Sequence, residues 1–165
     1  MKLRPILIAV VLFFSLPMIS IAQDGMTNEK LGNIIKATEL PFEGTLGNWQ
    51  IQVDSQLLFI ITDEAANRMR IFTDVIKENE LKTGQLRTML EANFHTALDA
   101  KYSIWNGFVI SVYNHPLAEL QEEQFLDALV QVYVLSATFG TEYTSTGMVF
   151  RPDTMGKQPD GAKQN

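Results

Sequence analysis

Residues 98–112 read LDAKYSIWNGFVISV, and this stretch decides the fold of the chain. Apolar or aromatic side chains alternate with other residues on both sides of Asn106–Gly107, which is the pattern of two half-buried strands. Asn-Gly is favoured in a type I′ turn because both central residues of that turn adopt positive φ. The stretch therefore predicts a β-hairpin that turns at residues 106–107.

A three-stranded antiparallel meander is predicted upstream of the hairpin. Residues 49–54 and 67–72 alternate between apolar and polar side chains, as half-buried strands do. Residues 57–61 form a continuous apolar run between them, which suits a central strand that is covered on both faces.

Three stretches predict helices. The first begins at Thr27, a favoured N-cap residue, and ends before Pro41, because the residue that precedes a proline resists the helical conformation. Residues 83–94 carry apolar side chains at helical spacing, and residues 122–139 are apolar on both sides of the helix. The last helix is therefore expected to be sandwiched between other elements.

These elements together predict an α+β domain. Its antiparallel sheet has about five strands and packs with three helices, in the order α-β-β-β-α-β-β-α. A sixth strand is considered after the last helix, at residues 143–150. Residues 23–150 form this single domain, and the Pro, Gly, Lys and Gln content of residues 151–165 is typical of a disordered tail.

The first 22 residues have the pattern of a secretory signal peptide. Lys2 and Arg4 precede an apolar run, and Ser20 and Ala22 are small residues where a signal peptidase needs them. The run of about 16 residues is short of the roughly 20 that span a bilayer, although an uncleaved membrane anchor is the alternative. We expect cleavage after Ala22, a periplasmic or secreted protein, and no stable membrane span after cleavage.

Charge and cysteine content exclude several classes of function. Without Lys2 and Arg4 the chain holds 11 Lys and Arg against 19 Asp and Glu, a net charge of about −8. Such a balance repels phosphate backbones and anionic lipid surfaces, so nucleic-acid binding is not expected. The chain has no Cys, which excludes disulfide bonds and anchoring as a lipoprotein.

No residue set predicts catalysis, a metal site or a cofactor. His95 and His115 are the only histidines, and neither has a second ligand at metal-binding spacing. Ser145 lacks the flanking glycines that place a nucleophilic serine on a strained turn. The sequence therefore predicts a protein that is not an enzyme.

Arg68 and Arg70 are the candidate partner-binding residues. Strand alternation places both on one face of an otherwise acidic protein, where two guanidinium groups could hold a carboxylate-bearing partner. The alternative is a solvated face whose arginines pair loosely with Asp63, Glu64 or Asp74.

A resemblance to a known family covers residues 26–140. Residues 86–94 (LRTMLEANF), residues 97–100 (ALDA), the Gly107 hairpin, residues 116–120 (PLAEL) and the long apolar helix that holds Phe125 carry it. Together they resemble class I type III secretion chaperones of the CesT type, whose fold is shared by YbjN-like proteins.

The resemblance implies an α/β sandwich that binds extended polypeptide along an exposed face. It also implies a homodimer that pairs through the second helix, residues 83–94, with Leu86, Met89 and Leu90 at the interface. We therefore expect an exported, non-enzymatic module that binds an unidentified protein or peptide partner. The alternative is a structural or regulatory dimeric component of an envelope assembly that holds no client.

Overall fold

The computed structural model describes residues 25–146. The expected signal peptide, its cleavage site and the expected tail at residues 151–165 lie outside the described residues. Three helices are present: α1 (Asn28–Ala37), α2 (Gln85–His95) and α3 (Glu122–Ala137). Six strands form the sheet: β1 (Phe42–Thr45), β2 (Asn48–Val53), β3 (Gln56–Asp63), β4 (Arg68–Lys77), β5 (Lys101–Trp105) and β6 (Phe108–His115).

The sheet is antiparallel throughout, with strand order β1-β2-β3-β4-β6-β5. The predicted α+β class, the antiparallel sheet and the three helices are confirmed. The sixth strand is β1, which precedes the meander. Residues 143–146, at the start of the segment considered for a sixth strand, are not in a strand, and residues 147–150 lie outside the described residues.

The predicted hairpin joins β5 to β6. Trp105 pairs with Phe108 across the turn, and Asn106 and Gly107 have φ values of 51° and 77°. Both central residues are therefore in the left-handed region that a type I′ turn requires.

The main core lies between one face of the sheet and the helices α1 and α3. Trp49, Ile60, Ile71 and Tyr113 pair across β2, β3, β4 and β6 to form one buried row of this face. Leu31 and Ile35 of α1 and Phe125 of α3 belong to the same buried cluster. Because consecutive strand residues alternate between faces, the neighbours of these row residues point to the opposite side.

Two helix predictions have different outcomes. Thr27 caps α1 as expected, since its side-chain oxygen accepts a hydrogen bond from the Lys30 backbone N–H at 3.2 Å. The expectation that the last helix is sandwiched is wrong. Leu126 and Val130 of α3 are 38% and 56% exposed, because the helix packs on the sheet with one side only.

Helix α2 lies against the outer edge of β5. The Asn93 side chain bonds both backbone polar groups of Tyr102, and the Lys101 ammonium donates to the Asn93 carbonyl oxygen at 2.6 Å. Burial lowers the pKa of Lys101. Within residues 25–146, no helix has the length and apolar character needed to cross a membrane.

Candidate binding surface

A second apolar cluster lies on the sheet face opposite α1 and α3. Phe72, Ile110 and Val112 are buried there, with Phe59 and Phe108 packed against them. Among residues 25–146 this cluster draws only on β3, β4 and β6, and it includes no helical residue. The surface formed by Phe59, Ile61, Phe72, Trp105, Ile110 and Val112 is called the open face below.

Aromatic rings organise the open face. Phe72 stacks on Phe59, with ring centroids 5.1 Å apart, and meets the edge of Trp105 at 5.5 Å. These contacts bury Phe72, but they leave Trp105 55% exposed and Ile61 44% exposed. Both exposed side chains line the same hollow, and a concave, largely apolar surface with a few polar groups is the usual form of a binding site.

The open face is concave. Strands β3, β4, β5 and β6 enclose a hollow of about 440 Å³, which is lined mainly by apolar side chains from its floor to its rim on β5. Asp63, Arg68, Arg70 and Asn114 line the same hollow at one end. A ligand in this hollow would therefore meet apolar side chains along most of its length and, at that end, two guanidinium groups beside one carboxylate.

The structure places Arg68 and Arg70 together on one face of β4, as alternation predicts. The Arg70 Nε donates to Asn114 Oδ1 at 2.6 Å, and Arg68 Nη1 donates to the Asn67 carbonyl oxygen at 2.8 Å. Both residues are exposed.

Two of the carboxylates expected to pair loosely with these arginines have other roles. Asp63 Oδ1 accepts from the Ala66 backbone N–H at 2.9 Å, and Glu64 Oε1 accepts from the Asn28 backbone N–H at 2.6 Å. In the part of the chain that the structure describes, neither Arg68 nor Arg70 forms an ion pair. Both guanidinium groups therefore retain donors for a carboxylate outside this chain.

The interface residues expected on α2 divide between its two sides. Met89 is 2% exposed and belongs to the core, so the prediction of Met89 as a contact to a second copy is corrected. Leu86 and Leu90 are 47% and 62% exposed on the opposite side. Phe94, which was not among the predicted interface residues, is 67% exposed and continues their four-residue spacing. The exposed stripe of α2 is therefore Leu86, Leu90 and Phe94.

A second hollow, of about 420 Å³, lies between α1 and the edge strand β1. The Gln52 backbone N–H donates to the Pro41 carbonyl oxygen, so strand alternation directs the backbone groups of Phe42 and Gly44 away from β2. Gly44 has φ of 123°, and a Cβ there would lie 2.2 Å from the Asn48 carbonyl oxygen. Only glycine therefore fits at position 44. The edge of β1 that is turned away from β2 faces the hollow.

The polar residues considered for chemistry have structural contacts. His115 Nδ1 donates to the Pro116 carbonyl oxygen at 2.7 Å, and the His95 ring meets the edge of Phe94. Ser145 is buried, and its hydroxyl oxygen accepts from the Leu98 backbone N–H at 2.7 Å. Residues 25–146 contain no group of three His, Cys, Asp or Glu residues that could hold a metal ion.

No protein-family model matches this chain, and no curated protein matches its sequence. Among solved structures, it is similar to the type III secretion chaperone SycH of Yersinia pestis, determined in complex with a stable fragment of YscM2. The identity is 14% and the TM-score is 0.51, over 67% of this chain and 96% of SycH.

Two further structures have lower TM-scores. The match to the ExsC-ExsE complex has 14% identity and a TM-score of 0.49, and covers 67% of this chain and 91% of the other. The match to the HopA1-SchA chaperone-effector complex has 14% identity and a TM-score of 0.46, and covers 65% and 87%. The similarity to SycH confirms the expected resemblance at the level of fold: this chain has a type III secretion chaperone-like fold.

Proposed function

We propose that this protein is an exported, non-enzymatic module that binds a protein or peptide partner on the open face. The observation that carries the proposal is a concave apolar sheet face, free of helices within residues 25–146, with two arginines at one end. SycH, which has a similar fold, was determined with a bound protein fragment, and this supports a polypeptide as the partner.

The chemistry of the open face specifies what the partner carries. Apolar side chains of the partner would cover Ile61 and Trp105 and remove their exposed area from water. Each Å² of apolar surface buried in this way stabilises the complex by about 25 cal/mol. A carboxylate of the partner would accept hydrogen bonds from Arg68 or Arg70. The proposed partner segment is therefore apolar, with an acidic residue at one end.

Export and the absence of catalysis are parts of the same proposal. Export rests on the signal-like sequence of residues 1–22. The non-enzymatic role is supported by the structural contacts of His95, His115 and Ser145, none of which is paired with a general base or nucleophile in those contacts.

The second candidate function is a dimeric component of an envelope assembly that holds no client. The exposed stripe of α2 favours it, since three large apolar side chains on one helix face suit a contact with another protein surface. In this alternative the interface between two copies is the functional surface.

Peptide capture tests the first proposal. The protein without residues 1–22 is immobilised and offered a library of apolar peptides with amidated C-termini that end in Asp or Glu, beside matched amidated peptides that end in Asn or Gln. We expect preferential capture of the acidic peptides, at least about tenfold weaker capture by the Arg68→Ala/Arg70→Ala double variant, and a reduced salt dependence.

The Lys77→Ala/Lys82→Ala double variant is the matched control. It also removes two positive charges, but Lys77 lies at the other end of β4 and Lys82 follows β4 in the chain. It should capture the acidic peptides as the unaltered protein does. Equal capture of acidic and amide peptides would contradict the role of the arginines, and capture of neither would contradict the proposal.

A further inference from the structure

We infer, on the basis of the proposed function, that the polar end of the open face is a carboxylate subsite in which Arg70 is the contact residue and Asn114 its positioning residue. Arg68, which lines the same end, acts through its charge and not by direct contact. The two arginines, which strand alternation alone treats as equivalent, thus have different roles.

Arg70 lies directly beside the apolar part of the open face. On β4 it is two positions from Phe72, which is about 7 Å at the rise of a strand. It pairs across the sheet with Ile61 on β3 and with Asn114 on β6, and directly opposed residues share a face. A partner segment that covers Ile61 therefore reaches the Arg70 guanidinium without leaving the hollow.

Asn114 fixes the direction of the Arg70 guanidinium. Its Oδ1 accepts from Arg70 Nε at 2.6 Å, so this donor is not available to a ligand. The terminal nitrogens Nη1 and Nη2 have no partner among residues 25–146, and they form a planar pair of donors. A carboxylate presents two oxygens to such a pair, whereas a primary amide presents one. The geometry at Arg70 therefore favours a carboxylate over an amide.

Arg68 lies at the rim of the hollow and is held differently. Its Nη1 donates to the carbonyl oxygen of Asn67, in the turn that joins β3 to β4. Its partner across the sheet is Asp63 on β3, and the register of β6 ends before it, so no β6 residue pairs with it. Arg68 therefore lacks the side-chain partner that orients Arg70 and is one pair of residues further from the apolar side chains.

Asp63 reduces the positive potential at this end of the hollow. Its carboxylate lines the hollow, but Oδ1 accepts from the Ala66 backbone N–H at 2.9 Å, and Asp63 forms no ion pair within the described part of the chain. It therefore repels a ligand carboxylate without occupying the donors of Arg70. Because two guanidinium groups face one carboxylate here, charge alone selects an anion weakly, and the geometry of Arg70 carries the selectivity.

Peptide capture by single variants tests the inference. The measured quantity is the ratio of the affinities for the amidated peptides that end in Asp and in Asn, and the Asn peptides report whether the apolar hollow is intact. Arg70→Ala should lower this ratio at least about tenfold, whereas Arg68→Ala should lower it about threefold or less. Arg70→Lys keeps the charge but removes the planar pair of donors, so it should not restore the ratio.

Variants of Asn114 test its positioning role. Asn114→Ala should lower the ratio about threefold without changing its salt dependence, because no charge is removed. Asn114→Asp should lower it at least about tenfold, because the introduced carboxylate pairs with Arg70. Ser103→Ala removes a polar side chain from the β5 side of the same hollow, and this control should leave the ratio unchanged.

The opposite effect is expected at Asp63. Asp63→Asn should raise the ratio about threefold, because it removes a negative charge while the side chain can still accept from Ala66. Asp74→Asn removes the same charge from β4 at a position that does not line the hollow, and it should have no effect. An equal rise in both variants would show that only the overall charge of the protein matters, which overturns the subsite.

Three further results overturn the inference and leave the proposed function standing. They are a larger fall in the ratio for Arg68→Ala than for Arg70→Ala, an unchanged ratio in Asn114→Ala, and an equal loss of Asp and Asn peptides in that variant. If the unaltered protein captures both kinds of peptide equally, the role of the arginines in the proposed function fails, and the inference fails with it.

Discussion

The Asn93 side chain closes the outer edge of the sheet at Tyr102. Its Nδ2 donates to the Tyr102 carbonyl oxygen at 3.1 Å, and its Oδ1 accepts from the Tyr102 backbone N–H at 2.7 Å. One amide side chain thus makes both hydrogen bonds that a neighbouring strand would make. These bonds also fix α2 beside β5. The edge of β5 at Tyr102 is therefore covered and cannot pair with a strand of another chain.

We expect Asn93→Ala to lower the free energy of unfolding by about 1–3 kcal/mol, because both backbone groups of Tyr102 lose their partner. Denaturant titration measures the change. Asn33→Ala on the exposed side of α1 is the control and should stay within about 0.5 kcal/mol of the unaltered protein. Equal midpoints for the two variants would show that water replaces the Asn93 contacts without cost.

The hairpin turn allows a clean test of backbone conformation. Gly107 has φ of 77°, and a Cβ at this position would meet no atom within 4 Å. Gly107→Val should therefore cost about 1–2 kcal/mol of stability through backbone strain alone, with no contribution from a clash. Asn106→Gly should be nearly neutral. An unchanged denaturation midpoint for Gly107→Val would contradict the turn assignment.

Adjacent positions on α2 should respond differently to the same charge. Met89→Lys buries an ammonium group in the core and should lower the free energy of unfolding by about 3 kcal/mol or more. Leu90→Lys, at an exposed position, should change it by less than about 0.5 kcal/mol. Thermal unfolding of both variants measures the difference in stability. A Met89→Lys protein as stable as the unaltered protein would show that the side chain at position 89 is not enclosed by the core.

Burial raises the pKa of the Tyr102 hydroxyl, which donates to the Leu135 carbonyl oxygen at 2.6 Å. A raised pKa in the folded protein means that this contribution to stability is complete below the unfolded pKa of about 10 and is lost as the pH rises above it. Tyr102→Phe should make the decline in stability above pH 10 shallower and cost about 1 kcal/mol at neutral pH. Denaturant titrations on both sides of pH 10 measure both effects. Parallel pH profiles for the two proteins would contradict the role of this hydroxyl.

Signal cleavage is testable by mass. We expect the exported protein to begin at Gln23, because Ser20 and Ala22 are the small residues that a signal peptidase accepts. Intact-mass measurement of the protein recovered outside the cytoplasm should show this terminus. A membrane-bound species that still begins at Met1 would support the uncleaved anchor instead.

Local signals in the sequence were sufficient for most of the fold. The Asn106–Gly107 turn, the Thr27 cap and the alternation in β2 and β4 all depend on residues that are close in the chain. Strand β1 gave no such signal, because all four of its residues are exposed and their pattern is not alternating. It is a strand because β2 supplies hydrogen-bond partners for it.

The candidate binding surface was only partly predictable. Alternation placed Arg68 and Arg70 together, because a strand repeats every two residues whatever surrounds it. The hollow beside them was not predictable in this way, because it forms only where the β3–β4 pair meets the β5–β6 hairpin, and α2 separates these two pairs in the sequence.

The sequence by itself determined which side chains share a face, because the helical and strand periods are properties of the local backbone. Only the tertiary structure decided which faces are covered. β6 is apolar on both sides, and the helices cover Val109 and Tyr113 while Ile110 and Val112 belong to the open face. Likewise, the spacing on α2 could not separate buried Met89 from exposed Leu90, since both are apolar and only the packing partner distinguishes them.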